Sequence, residues 1–336
     1  MTFAATLACF AVAACAPQAE QREALPPLVW PAWPAEPRIE YVKEFSRPDD
    51  LGIKKGFFRR LVDIVFGESE ARLVRPMAVV TVGKTLYVAD PGANGVHRFD
   101  LENGDYELIR AENEGLLPSP VGLARGANGE VYVADSQLAK VFLIRPGSKL
   151  ATPVVLRATL DRPTGIAYDA SSGRLFVVDT AGHRVNVFER DGSLAASIGR
   201  RGTDDGEFNY PTLIWLAPHD RLYVTDSLNF RVQIFDRSGR YLGKFGNSGD
   251  GTGDLPRQKG VATDSYGHVY IVDSLFHAVQ IFSESGRLLL SIGALGGQRG
   301  EFRLPTGIFI GEDNYVYVAD SYNRRVQVFR YVGGAT

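Results

Sequence analysis

Six strand-like runs, each closing on an aspartate, recur along this chain at 86–90, 131–135, 175–179, 222–226, 269–273 and 316–320. Their last residues, Asp90, Asp135, Asp179, Asp226, Asp273 and Asp320, are spaced 45, 44, 47, 47 and 47 positions apart. A period of that size means one supersecondary unit copied along the chain, with a core formed by stacking neighbours. Length alone would divide 336 residues into two domains, but a circular repeat can carry them as one.

The third repeat shows the internal order. Residues 165–168 read as a strand, 171–173 as a turn, 175–179 as a second strand and 180–184 as a connection; strands at 185–188 and 194–198 flank a turn at 190–192. Alternating apolar residues, β-branched content and glycine-bearing turns carry each assignment. Four short antiparallel strands, A to D, make one blade, and six blades in a circle make an all-β six-bladed β-propeller. Repeat six stops after strand C at 326–329 with no counterpart of strand D. The missing strand is expected at the other end, where Arg38-Ile39-Glu40-Tyr41-Val42-Lys43-Glu44-Phe45 resembles Arg240-Tyr241-Leu242-Gly243-Lys244-Phe245 of repeat four. An N-terminal strand thus closes the last blade, and the propeller runs over 38–336.

Ahead of it, residues 3–14 form an apolar run of 12, too short to span a bilayer and suited to a signal-peptide core. Val12-Ala13-Ala14-Cys15 resembles a bacterial lipobox, which makes 1–15 a lipoprotein-type signal with Cys15 the lipidated residue. Six prolines in 16–37 favour an extended stalk, in which Trp30 and Trp33 can pack on the domain or at the membrane interface. The expected location is the bacterial cell envelope, on the periplasmic side or the outer membrane, with the lipid as membrane anchor. Residues 51–67 carry apolar residues at helical spacing, with Lys54, Lys55, Arg59 and Arg60 on the other side. This is an inserted amphipathic helix, lying on the propeller or touching an anionic membrane.

The motifs Pro305-Thr306-Gly307-Ile308, Val316-Tyr317-Val318-Ala319-Asp320-Ser321 and Asn323-Arg324-Arg325-Val326-Gln327-Val328-Phe329, with Gly300-Glu301-Phe302 before them, resemble the NHL repeat. Repeats one and two lack the Gly-x-Phe before Pro120 and Pro163. The resemblance covers about 38–336 and implies a six-bladed propeller used mostly for binding proteins or other ligands, with a minority of enzymes among its relatives.

The ring of six aspartates invites a metal, but a feature in every blade serves the blade: a short carboxylate at a strand end accepts hydrogen bonds from the loop that follows. Arg184, Arg231 and Arg325 lie five residues after their aspartates, as does Lys140, and either brace that loop or form a ligand-binding rim. His183 and His277 fall in B–C connections, His219 and His268 in A–B turns at the opposite end, and His97 replaces the strand C glutamine. Three histidines do not converge, as a zinc enzyme would need, so no metal or other cofactor is expected. Enzymatic relatives of the peptidyl-hydroxyglycine lyase kind depend on a histidine-bound metal. No serine sits in a Gly-x-Ser-x-Gly setting, and a net charge of −2 argues against a nucleic-acid partner.

The least repetitive surface is the end where B–C and D–A connections emerge. His183, Arg184, Phe230, Arg231, Phe276, His277, Tyr322 and Arg325, with Tyr210, Arg200 and Arg201, form the candidate partner-binding set there; the alternative for each aromatic is packing between blades. The reading is a monomeric, non-catalytic propeller recognising a protein or envelope polymer. A hydrolase or lyase acting on a small molecule at the central channel is the alternative.

Overall fold

In the second and third strands of each repeat nearly every side chain is buried, on both faces, as a strand held between neighbouring blades requires. The fourth strand alternates instead, for example exposed Leu242 beside buried Phe245, and marks the outer edge. The computed structural model describes residues 26–32, 34–53, 71–218 and 220–333, and these form six blades of four antiparallel strands. In blade three the strands are Pro163–Asp169, Arg174–Asp179, Arg184–Phe188 and Leu194–Ile198, within two residues of the limits expected from sequence. Cys15, Trp33, His219 and residues 54–67 of the expected helix lie outside the described residues; the chain leading to that segment makes a short 3-10 turn at Pro48–Leu51.

Blade six is built from both ends of the chain. Ile39–Phe45 pairs antiparallel with Arg325–Tyr331, placing Phe45 opposite Val326 and Glu44 opposite Gln327. Part of the proline-rich segment also joins in. Val29–Trp30 adds a fifth strand on Ile39–Phe45, where it covers an otherwise open edge, and the Trp30 ring meets Phe329 edge-on at 5.7 Å. On the other side of the seam the outer strands of blades one and two, Asp105–Ala111 and Leu150–Pro153, pair in parallel and merge two blades into an eight-stranded sheet.

Two devices hold blade to blade. Phe99, Ile144, Phe188, Phe235, Phe282 and Phe329 occupy one strand C position and are fully buried or nearly so. Leu73, Leu117, Leu160, Phe208, Leu255 and Phe302, each three residues before Pro76, Pro120, Pro163, Pro211, Gln258 and Pro305 respectively, plug the D–A loops. Repeats one and two therefore keep the apolar plug that their sequences lacked as Gly-x-Phe, since Leu117 and Leu160 fill the same space. Around the central channel the first strands press together: a Cβ added at Gly165 would lie 2.7 Å from Leu213 Cα, closer than carbon atoms approach. Hydroxyls tie this inner wall, with Thr180 Oγ1 donating to the Pro211 carbonyl at 2.7 Å and Ser321 Oγ to that of Pro76 at 2.6 Å.

Candidate functional site

The B–C turns set out the loop face. Each of the six strand-end aspartates is buried, and each accepts backbone N–H groups from the D–A connection fifteen to eighteen positions earlier: Val74 and Arg75 for Asp90, Ser119 for Asp135, Asp161 and Arg162 for Asp179, Asn209 for Asp226, Arg257 for Asp273 and Arg303 for Asp320. In blades one, two and five the carboxylate also accepts amides of the loop that follows. These aspartates clamp the two loops of one blade together, which accounts for their presence in all six.

Four residues past each aspartate the chain turns through the left-handed region, at Asn94, Ala139, His183, Phe230, His277 and Arg324, all with φ between 52° and 57°. Only one of the six is the asparagine that tolerates this conformation readily. At two of them the side chain braces the next blade: His183 Nδ1 accepts the Tyr210 N–H at 3.2 Å and His277 Nδ1 the Leu304 N–H at 3.0 Å. Phe230 and Phe276 are half-buried.

The arginines divide. Arg231 is buried and spends its guanidinium inside the blade, Nε on Asp226 and the two terminal nitrogens on the carbonyls of Thr203, Asp204 and Glu207, each at 2.8 Å. Arg325 repeats this on Asp320 and the carbonyls of Gly297, Gln298 and Glu301, and adds Glu44. Arg184 pairs with Asp179 at 3.1 Å but keeps a third of its side chain in solvent. Its blade lacks the glutamine that completes the other two networks, where Gln233 and Gln327 donate to the same aspartate.

Two residues past the aspartate, the side chain points outward. In blades four, five and six this position holds Leu228, Leu275 and Tyr322, exposed by 51%, 52% and 59%. Leu295, exposed by 64%, stands on the connection between blades five and six, and Tyr210 on that between three and four. Three successive blades thus present an apolar arc on the loop face, beside the exposed Arg257, Arg303 and Arg324. Of these apolar residues, Tyr322 and Tyr210 belong to the set expected from sequence. Leu228 and Leu275 do not, although they share with Tyr322 one offset from the blade aspartate, which is legible in the sequence.

The opposite, A–B end of the channel opens into a cavity of about 370 Å³ lined by strand A residues of all six blades. Trp215 and Phe309 meet edge-on at 5.8 Å inside it, Trp215 Nε1 donates to Thr263 Oγ1 at 2.9 Å, and the Arg125 guanidinium lies 4.7 Å over Phe309 while donating to Thr81. Asp264, on the same rim, is spent on His268 and Tyr270. His97 Nδ1 and Tyr106 Oη share a hydrogen bond inside blade one at 2.9 Å. Among the described residues no group of three or more His, Cys, Asp or Glu side chains is placed to hold a metal ion.

The NHL repeat matches residues 160–188 and 302–329. The mouse peptidyl-glycine alpha-amidating monooxygenase is 27% identical over 127 residues, which is 34% of this chain and 13% of the mouse protein, so the match spans a small part of that relative. Among solved structures, an auxiliary nutrient binding protein from Bacteroides thetaiotaomicron superposes with a TM-score of 0.61 at 13% identity, covering 78% of this chain and 70% of the other. Virginiamycin B lyase from Staphylococcus aureus does so with a TM-score of 0.56 at 16% identity, over 77% and 96%. At such identities the likeness is one of fold.

Proposed function

This chain is an NHL-repeat β-propeller, and we propose that it is a non-catalytic binding module, held at the cell envelope through Cys15, that docks a partner protein on its loop face. The observation that supports this reading is the arc of Leu228, Leu275 and Tyr322, the same solvent-facing position in three adjacent blades. Scattered single apolar side chains are ordinary on a surface, but a set repeated at one position of three adjacent blades, with arginine at its margin, has the composition of an interface centre. A polar envelope polymer would offer little to leucine side chains, so a protein suits the arc better. The buried Arg231 and Arg325 stand outside the docking set, because their donors are consumed within the blades.

The experiment is capture from envelope extracts by the immobilised propeller, wild type against the triple variant Leu228→Asp, Leu275→Asp, Tyr322→Asp. One or more proteins retained by the wild type and lost from the variant support the reading. Equal retention of the same proteins by both overturns it.

A further inference from the structure

The loop face carries cations that no other described residue pairs with. Arg75, Arg162 and Arg257 hold the same position in blades one, three and five, each fixed by its own backbone N–H on the blade aspartate, at 2.9, 2.8 and 3.1 Å. Their side chains are exposed and make no ion pair or hydrogen bond with any described residue. Two residues past Arg257, Lys259 sits in strand A of blade five, in the ring around the channel where three other blades place Thr164, Thr212 and Thr306. The ring is tight there: the Gly260 N–H donates to the Thr306 carbonyl at 2.9 Å.

The threonine hydroxyls at this level are taken up by the wall, Thr164 on the Thr212 carbonyl and Thr306 on that of Met77. Lys259 has no such bond, and no carboxylate within reach of an ion pair among the described residues. Its ammonium is half-buried, and burial, followed by the like charges of Arg257 and of Arg162 from across the mouth, holds it below the usual lysine range against the pull of Asp273. An amine desolvated among like charges costs stability, and the cost is removed when an anion enters. Asp273, the carboxylate that draws on it, is occupied by the backbone of its own loops.

We infer that the loop-face mouth of the channel binds the anionic group, phosphoryl or carboxylate, of a small molecule, seated on Lys259 between Arg162 and Arg257. The site shares Arg257 with the margin of the docking arc on blades four to six, but its test turns on Lys259 and Arg162, which the arc does not use, so either can fail without the other. A fork of two guanidiniums about one ammonium suits a group with several charged oxygens, since arginine matches planar and tetrahedral oxyanions and lysine adds a point charge.

The test is calorimetric titration of the purified propeller with inorganic phosphate, pyrophosphate and citrate in chloride buffer of constant ionic strength. The expected result is one-to-one saturable binding of at least one of them, weakened ~10-fold or more in Lys259→Met and in Arg162→Gln. Arg240→Gln, on the opposite face, should bind as the wild type does. Preference for phosphate over citrate, or the reverse, tells which oxyanion the site takes. Without added anion, Lys259→Met should melt no lower than the wild type, because it removes an unpaired charge. Absence of saturable binding to all three, equal affinity in all four proteins, or a lower melting point for Lys259→Met would each overturn the inference.

Discussion

Glu44 and Arg325 lie 281 positions apart in the chain and meet at 2.8 Å, carboxylate oxygen to Nη1. The contact crosses the seam where the N-terminal strand completes blade six, and it joins the same guanidinium that holds Asp320 and three loop carbonyls. The two ends of the chain are thus fastened through side chains as well as through the strand ladder.

Deleting 38–45 should abolish cooperative unfolding, because it removes the whole outer strand of blade six and exposes the edge of Arg325–Tyr331. Deleting 1–25 should leave the melting curve unchanged. Deleting 1–37 should cost about 1 kcal/mol, the worth of an aromatic pair, through loss of Trp30 from Phe329. Urea unfolding of the three truncations checks this, and equal midpoints for the first and second would refute the shared blade.

Arg325→Ala should destabilise the propeller by about 3 to 5 kcal/mol, since it leaves Asp320 buried without its cation. Arg325→Lys should fall between, keeping the charge but not the fork. Gln327→Ala should cost about 1 to 3 kcal/mol, because it strands the Gly300 N–H and takes a donor from the buried Asp320 carboxylate. Chemical denaturation orders the three variants.

Single substitutions Leu228→Asp, Leu275→Asp and Tyr322→Asp should each change stability by no more than about 0.5 kcal/mol. Each should weaken partner capture by about 1 to 4 kcal/mol if it anchors the contact. Phe230→Ala, with its ring half inside the blade, should lower the melting point more than any of them. Thermal melts alongside capture separate the two effects.

Acid should loosen the blades in a defined order. Hydrogen bonds from Ser238, ahead of an opposing effect of burial and further bonds from Arg240, hold the Asp236 carboxyl near 2 rather than 3.8. Burial pushes Asp90 upward, but His97 and the amides of Val74 and Arg75 outweigh it and leave that carboxyl low as well. A folded-state value below the unfolded one means stability that is complete above about pH 4 and is lost as pH falls through the folded value. Melting temperature should therefore be level from neutrality to about pH 4 and decline toward pH 2. In Asp236→Asn the share of that decline due to this turn should vanish.

Cys15→Ser should release the protein from membranes into the soluble envelope fraction if the cysteine carries the lipid. Fractionation with an antibody against the propeller reads the outcome, and unchanged membrane association would remove the anchor from the proposal.

The aspartate period determined the number of blades, and the alternation around it set strand limits to within two residues in blade three, because turns and strands are chosen by neighbours a few positions away. The closing strand was legible for the same reason: Ile39–Phe45 repeats the local pattern of an outer strand. Exposure was another matter. Arg231 and Leu228 lie three residues apart in one turn, yet the charged side chain is buried and the apolar one is in solvent. Which of them faces the blade depends on carbonyls from Thr203 to Glu207 brought up by the preceding connection. The repulsion that Lys259 feels from Arg162 is further still from sequence, since the two come from blades five and three. Only closure of the ring, with the first strands pressed around one axis, places their charges against each other.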